Sequence, residues 1–303
     1  MEICALIITY NPDFNILKRN VTSVKLQISQ CLIVDNGSNN QDQLKHFAAE
    51  NKVELILLGE NRGIAAAQNV GFKEAKKNDV EWVLTLDQDS VIPDGMVQKY
   101  TESKKMEASD TGIVTGLYFD RKWNANQRAA LIGKTNQKFT EKDMVISSGN
   151  LVRVKAWEKV LGFDEYLFID MVDYDFDAKL RLFGYRIWQI NSVLMEHEVG
   201  RVIHKPILEH ILLLPESGLL ADHPAFRQYY IYRNSIIFQK RFPRFANKRF
   251  LILRSFFATR RMFVYRHSVS KFLSAWRGII DGYRYQIIKD KNFTKFIDSL
   301  KNQ

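Results

Sequence analysis

Short apolar runs at Ile3 to Ile8, Cys31 to Val34, Val53 to Leu58 and Trp82 to Leu86 punctuate the first third of the chain, with polar stretches between them. Runs of this length, apolar without alternation, predict strands buried on both faces, as in a parallel sheet. The intervening segments Asp13 to Gln27, Gln41 to Asn51 and Ile64 to Asn78 have helical composition, with Asp13 and Asn40 or Gln41 near plausible starts. Strand and helix alternating at this spacing predict βαβ units with right-handed crossovers, and in such sheets ligands gather at the carboxyl ends of the strands. Those ends are Thr9-Tyr10-Asn11-Pro12, Asp35-Asn36-Gly37-Ser38, Gly59-Glu60-Asn61-Arg62-Gly63 and Asp87-Gln88-Asp89, four polar clusters on one rim.

Beyond Pro93 the pattern is less regular. Ile113 to Phe119, Asp143 to Ser147 and Arg186 to Met195 read as strands, Lys155 to Val160 as a short helix, and Val172 to Phe183 as a longer helix ending at Gly184. From about Phe226 the character changes: Phe226, Tyr229, Tyr230, Arg233, Ile236, Ile237 and Lys240 recur at helical spacing, and Arg249 to His267 mixes Phe, Leu and Met with bases. The division expected is an α/β domain over 1–205 and a basic, aromatic-rich helical region over 206–303.

Charge sharpens that division. The 303 residues carry a net +10, but Pro224 to Gln303 hold 18 Lys and Arg against three acids, leaving 26 bases against 31 acids before Pro224. A mildly acidic body with a strongly basic end predicts a tail that meets an anionic surface. With 46% hydrophobic residues the chain can bury a sizeable core. Cys4 and Cys31 lie in apolar runs, which favours reduced thiols and a reducing compartment. No secretory signal is evident at Met1, and no apolar stretch approaches the roughly 18 residues of a spanning helix.

Asp87-Gln88-Asp89 follows directly on the apolar run Trp82 to Leu86. In an extended segment alternate side chains share a face, so both acids could meet one hard divalent ion, although a solvated strand-end turn also accounts for them. Asp35 before Asn36-Gly37-Ser38 reads either as a plain turn or as an acceptor for a nucleobase on which Tyr10 stacks. Arg62, with Asn69 and Gly71 downstream, could bring a guanidinium and backbone amides to a diphosphate, or be an incidental surface Arg. Asp170, Asp173, Asp175 and Asp177 fall together near a helix start; the macrodipole explains one or two of them, and Asp173 facing a cleft could take a proton from a hydroxyl. His197 ends a predicted strand and is either structural or a third metal ligand beside carboxylates.

Thr9-Tyr10-Asn11, Val34-Asp35-Asn36-Gly37-Ser38, Asn61-Arg62-Gly63 with Ala67 to Gly71, and Asp87-Gln88-Asp89 together resemble the family 2 glycosyltransferases of GT-A fold over roughly residues 1 to 205. Asp87-Gln88-Asp89-Ser90, Ser148-Gly149-Asn150, Gly162 to Glu165 and Phe168-Ile169-Asp170 look most like bacterial rhamnosyltransferases of surface polysaccharide synthesis. The resemblance implies that Asp35, Thr9 and Tyr10 bind the base of a nucleotide sugar and that Arg62 lies near its diphosphate. It further implies that Asp87 contacts ribose or sugar, and that Asp89 and His197 hold a divalent cation, Mn²⁺ or Mg²⁺. Asp173, Asp175, Lys179 and Gly184-Tyr185 match the family's base element, with Lys where Arg is commoner; Asp170 to Asp173 replaces a Glu-Asp pair, so a neighbour of Asp173 remains an alternative base.

The expected reaction is an inverting transfer from a nucleoside-diphosphate sugar, dTDP-rhamnose or a UDP-sugar, to a hydroxyl of a glycan or lipid-linked acceptor. The basic end is expected to attach the protein peripherally to an anionic membrane at the inner, cytoplasmic face; its aromatics could equally form core or a contact in a homo-oligomer. A nucleic-acid-binding protein would explain the basic end and leave the four strand-end clusters unexplained, so no nucleic acid partner is expected. A nucleotidyltransferase would also use paired acids. P-loop, Rossmann dinucleotide and serine-hydrolase motifs are all missing from the sequence.

Overall fold

In the computed structural model, the described residues are 1–120, 126, 137–197, 203, 205–214, 222–246 and 252–302, the side chains of Asp120, His197 and 252–254 excepted. They fall into two compact units, one of Met1–Phe168 with Val172–His197 and another of Ile169–Met171 with Glu198–Gln303.

The first unit is built on one sheet. Strands β1 (Ile3–Thr9), β2 (Gln30–Asp35), β3 (Glu54–Leu57) and β4 (Trp82–Asp87) alternate with helices α1 (Phe14–Lys25), α2 (Gln41–Asn51) and α3 (Ile64–Lys77). All four strands run parallel in the order β3-β2-β1-β4. Asp13 caps α1 by accepting from the backbone N–H groups of Asn15 and Ile16, while Asn40 stands at the start of α2 without a side-chain cap bond. The registers Thr9↔Asp35, Asp35↔Leu57 and Ile8↔Asp87 bring the carboxyl ends nearly level. The polar clusters after β1, β2 and β4 therefore share one rim because register, set by buried Ala5, Ile7, Ile33 and Leu84, leaves them no other place.

After α4 (Met96–Glu102) come β5 (Thr111–Asp120), β6 (Phe139–Lys142), β7 (Asn150–Arg153), α5 (Val154–Lys159), α6 (Val172–Leu182) and β8 (Arg186–His197). They extend the sheet as β4-β7-β5-β8-β6, with β7 antiparallel to β4 and β5, β8 parallel to β5, and β6 antiparallel to β8. The strand expected over Asp143 to Ser147 does not form; β6 and β7 lie on either side of it. Val145 is buried and its N–H donates to Asp177 Oδ2 at 2.7 Å, so this apolar run packs as a loop on α6.

The second unit holds α7 (Pro206–Ile211), α8 (Ala225–Arg241), α9 (Ile252–Ala258), α10 (Ser268–Arg284) and α11 (Lys291–Lys301). Tyr232, Ile236, Met262, Val264, Tyr265, Ala275 and Ile279 form its core. Gly278 and Gly282 let α10 approach the backbone of α8 at Tyr229 and Arg233. Of the stripe read in the sequence of α8, Arg233, Ile236 and Ile237 are buried, Tyr229, Tyr230 and Lys240 are half-buried, and Phe226 is exposed. Buried charges are paired: Arg241 with Asp290 and Tyr285, and Lys271 with Asp222. Among the described residues no helix is long and apolar enough to cross a membrane.

Candidate active site

Asp35 is wholly buried at the end of β2. Its Oδ1 accepts from Thr9 Oγ1 at 3.0 Å and from Ser38 Oγ; its Oδ2 accepts from the N–H groups of Gly37 at 3.2 Å and Ser38 at 2.9 Å. Four donors occupy the acceptor sites a carboxylate offers, so Asp35 ties the ends of β1 and β2 together. Tyr10 is 46% exposed on the same rim, leaving its ring open to a planar group. Its backbone N–H donates to Gln88 Oε1 at 2.8 Å. Gln88, the residue between the two acids, thus links the loop after β1 to the loop after β4, a coupling that alternation of faces alone does not predict.

Arg62 is exposed, and its backbone is held: its N–H donates to Asn36 Oδ1 at 2.8 Å, Asn36 Nδ2 donates to Asn61 Oδ1 at 3.0 Å, and Asn61 Oδ1 also accepts from Gly63 N–H. Two glycines make this possible. At Gly37 (φ 84°) a Cβ would lie 2.3 Å from the Glu60 carbonyl carbon, and at Gly63 (φ 84°) 2.6 Å from Phe168 O, so any side chain would push the Arg62 loop away. Asn69 and Gly71 serve packing instead of a diphosphate. Asn69 accepts from Trp157 Nε1 and Phe163 N–H and donates to Phe163 O and Glu165 Oε1, while Gly71 lies against Leu6.

The turn carrying Asp87 and Asp89 is anchored by its backbone. Asp87 O accepts from Asn20 Nδ2 at 2.8 Å, and Asp87 N–H donates to Ser148 Oγ at 3.2 Å, itself 2.7 Å from Ser90 Oγ. Ser148 O accepts from the Tyr118 hydroxyl, which also contacts Thr115 Oγ1 and Asn150 Oδ1. Burial raises the Tyr118 phenol above its ordinary value; Thr115 opposes the shift and the carboxylates of Asp87, Asp177 and Asp173 add to it. The phenol therefore keeps its proton, and acids from the end of β4 and the start of α6 bear on it electrostatically. Ser148 belongs to the Ser148-Gly149-Asn150 motif of the resemblance without an assigned role; Asn20 and Tyr118 were not legible as site residues, since nothing in their local spacing marks them.

Of the four acids around the start of α6, only Asp173 combines partial exposure with a place in this cluster. Asp170 belongs to the second unit, where Arg227 Nη2 lies 3.1 Å from it. Asp175 is buried, with Lys179 Nζ at 3.6 Å, and Lys179 Nζ donates to Gly162 O at 2.5 Å, tying α6 to the turn after α5. Asp177 is buried too; burial, with Asp173 adding to it, raises its carboxyl well above the ordinary value despite the Val145 N–H. Asp173 Oδ1 accepts from Tyr174 N–H at 2.9 Å.

Asp87 is half-buried and Asp89 exposed on the same turn, two hard oxygen donors of the kind Mg²⁺ and Mn²⁺ take. No group of three potential ligands gathers among the described residues. The backbone of His197 ends β8, and its side chain lies outside the described residues.

Residues 4–161 match the family described as glycosyl transferase family 2. A Shigella flexneri protein, dTDP-rhamnosyl transferase RfbF, is 30% identical over 248 residues, 78% of this chain and 79% of that protein. The solved structure of GalNAc-T7 with UDP, GalNAc and Mn²⁺ is similar with a TM-score of 0.57 and 11% identity over 100% of this chain, which spans 57% of that protein. S. aureus TarS 1-349 in complex with UDP-GlcNAc gives a TM-score of 0.52 and 16% identity over 96% of this chain and 95% of that one. These two likenesses bear on the fold alone, and that fold is GT-A. A parallel sheet with its polar loops on one rim, acids gathered after β4, and a family match over more than half the chain place this protein in glycosyltransferase family 2, as a glycosyltransferase acting on nucleotide sugars.

Proposed function

We propose that the chain transfers rhamnose from dTDP-rhamnose, with inversion at the anomeric carbon, to a hydroxyl of a glycan or lipid-linked glycan acceptor in cell-surface polysaccharide synthesis. The observation that carries this reading is the family 2 match over residues 4–161, with Asp87 and Asp89 on the rim at the end of β4 and Asp173 at the start of α6. Acids from a donor-side loop and from a separate helix are what a direct displacement needs. The choice of rhamnose over another sugar of a UDP donor rests on the similarity to the Shigella flexneri enzyme.

In this reading Tyr10 stacks on the base. Thr9 and Asp35 shape its pocket, and Asp35 contacts the base at the cost of its weakest bond, to Gly37 N–H. Arg62 meets the diphosphate and Asp87 the ribose or sugar. Asp89, with His197, would hold Mn²⁺ or Mg²⁺, which when bound supplies positive charge where the leaving diphosphate gains negative charge. Asp173 removes the proton from the acceptor hydroxyl on the opposite face of the sugar. Attack and departure then occur on opposite sides, and no residue is needed as a nucleophile toward the sugar. A lipid-linked acceptor would place the enzyme at the inner face of a membrane, where the basic second unit meets anionic lipid.

The test is thermal stabilisation by dTDP, UDP and their sugars, with and without Mn²⁺ or Mg²⁺, followed by transfer from the best binder and determination of the product anomer. Stabilisation by dTDP-rhamnose with metal and an inverted product support the reading. No stabilisation by any nucleotide, or a retained configuration, overturns it.

A further inference from the structure

Helix α10 carries an unusual outer face. Val269, Leu273, Trp276, Ile280 and Tyr283 follow one another at spacings of four, three, four and three, and all five are exposed, Val269 at 64% and Leu273 at 61%. At this spacing they form a single stripe along a helix of about 25 Å. The inner face is already satisfied, since Ala275, Gly278, Ile279 and Gly282 are buried against the second unit's own core. The stripe is therefore surplus to the fold.

Trp276 is held ready. Its indole N–H donates to Thr259 Oγ1 at 3.0 Å, and its ring packs at 4.7 Å on Phe256 and 5.2 Å on Phe272. Beside the stripe, Arg277 and Arg284 follow Trp276 and Tyr283 by one residue each, and both are exposed. The one acid of α10, Asp281, is turned away and accepts from the Tyr229 hydroxyl at 3.0 Å. An apolar stripe with aromatic anchors, edged by arginines and carrying no acid of its own, is the pattern of a helix lying in a membrane interface. A symmetric pairing of two copies through α10 would set one row of arginines against another with no carboxylate on that face to meet them.

We infer that the outer face of α10 is a docking surface for an anionic lipid bilayer, with Leu273, Trp276 and Ile280 entering the headgroup boundary and Arg277 and Arg284 meeting lipid phosphates. This surface deepens the lipid-linked acceptor proposed above and rests on that reading for its use, while the binding itself needs no donor.

The experiment is flotation of the full chain with vesicles rich in phosphatidylglycerol and with neutral phosphatidylcholine vesicles, alongside sedimentation velocity. The expected result is binding to the anionic vesicles, weakened by salt. Binding should fall at least tenfold in the Leu273→Gln/Ile280→Gln protein. It should fall about fivefold for each arginine in the Arg277→Gln/Arg284→Gln protein. Both are surface changes, and circular dichroism checks their fold. Quenching of wild-type tryptophan fluorescence by brominated lipid decides the matter if either variant does not fold. No flotation at low salt, flotation unchanged in the Leu273→Gln/Ile280→Gln protein, or a dimer that this pair converts to monomer without any vesicle binding would overturn the inference. Nucleotide-induced stabilisation is read on the same proteins: its presence without vesicle binding sinks the surface alone, and vesicle binding without it sinks the donor reading alone.

Discussion

Acids near the rim of the catalytic unit and paired acids of the helical unit are held differently. In the first, the carboxylates of Asp87, Asp173 and Asp177 all bear on Tyr118, and neutral groups, Asn20, Ser148 and the Val145 N–H, hold the backbone at Asp87 and the side chain of Asp177. In the second, Arg241 meets Asp290, Lys271 meets Asp222 and Arg227 meets Asp170. Gathered like charges serve chemistry and cost stability; opposed charges support packing. Neutralising an acid should therefore remove activity in the first unit and stability in the second.

The largest expected effect tests the first half of that contrast. Asp173→Asn should lower turnover about 10²- to 10⁴-fold while stabilisation by nucleotide and the melting temperature stay near wild type. A transfer assay paired with a melting curve decides this, and near wild-type turnover would remove Asp173 as the base. Next, Arg241→Ala should destabilise the second unit by about 3 to 5 kcal/mol, because it strands Asp290 in a buried place. Urea unfolding should show this loss with nucleotide binding retained, and a midpoint like wild type would show that the pair contributes little.

A smaller effect is expected for Gln88→Ala. Loss of the bond to the Tyr10 N–H should weaken donor binding by about 1 kcal/mol, roughly fivefold, without changing turnover at saturation. Titration calorimetry with dTDP-rhamnose measures it. The smallest effect is a pH dependence. Burial would raise the Asp290 carboxyl, but the Phe293 N–H, the Tyr285 hydroxyl and Arg241 outweigh it and hold the carboxyl below its ordinary value. Such a group stabilises fully above the unfolded value of about 4 and loses that contribution as pH falls through the lower folded value. Acid titration by circular dichroism should accordingly show Asp290→Asn less sensitive to acid than wild type below about pH 4.

The parallel half of the sheet was readable because each of its strands is an apolar run fed by a helix with its own start and stop signals. Bounds for β1, β2, β4 and α1 to α3 fall within a few residues of those the pattern predicts. The antiparallel half was less readable. Met144, Val145 and Ile146 are as apolar as a strand, yet the chain pairs at Phe139–Lys142 and Asn150–Arg153 instead, because edges of β8 and β4 were open there and Asp177 took the Val145 N–H. The site divides similarly. Tyr10, Asp35, Arg62, Asp87 and Asp89 sit at strand ends that local sequence marks, whereas Asn20, Gln88, Ser148 and Tyr118 contribute only through contacts with residues distant in the chain.

Sequence alone determined that four strands would run parallel, that their polar loops would share a rim, and that the basic charge would collect after Pro224, since periodicity and composition are local properties; burial on both faces failed for β3, which the structure places at the sheet edge, half-buried. Only the tertiary structure separated the clustered acids. Asp175 and Asp177 are buried and Asp170 is paired with Arg227, which leaves the half-buried Asp173 as the acid proposed for chemistry. It also decided which aromatics enter the second unit's core: Tyr232 of α8 is buried, whereas Phe226 of α8 and Trp276 and Tyr283 of α10 stay outside. Both decisions turn on burial and pairing, and these are set by what packs against a residue rather than by its neighbours in sequence.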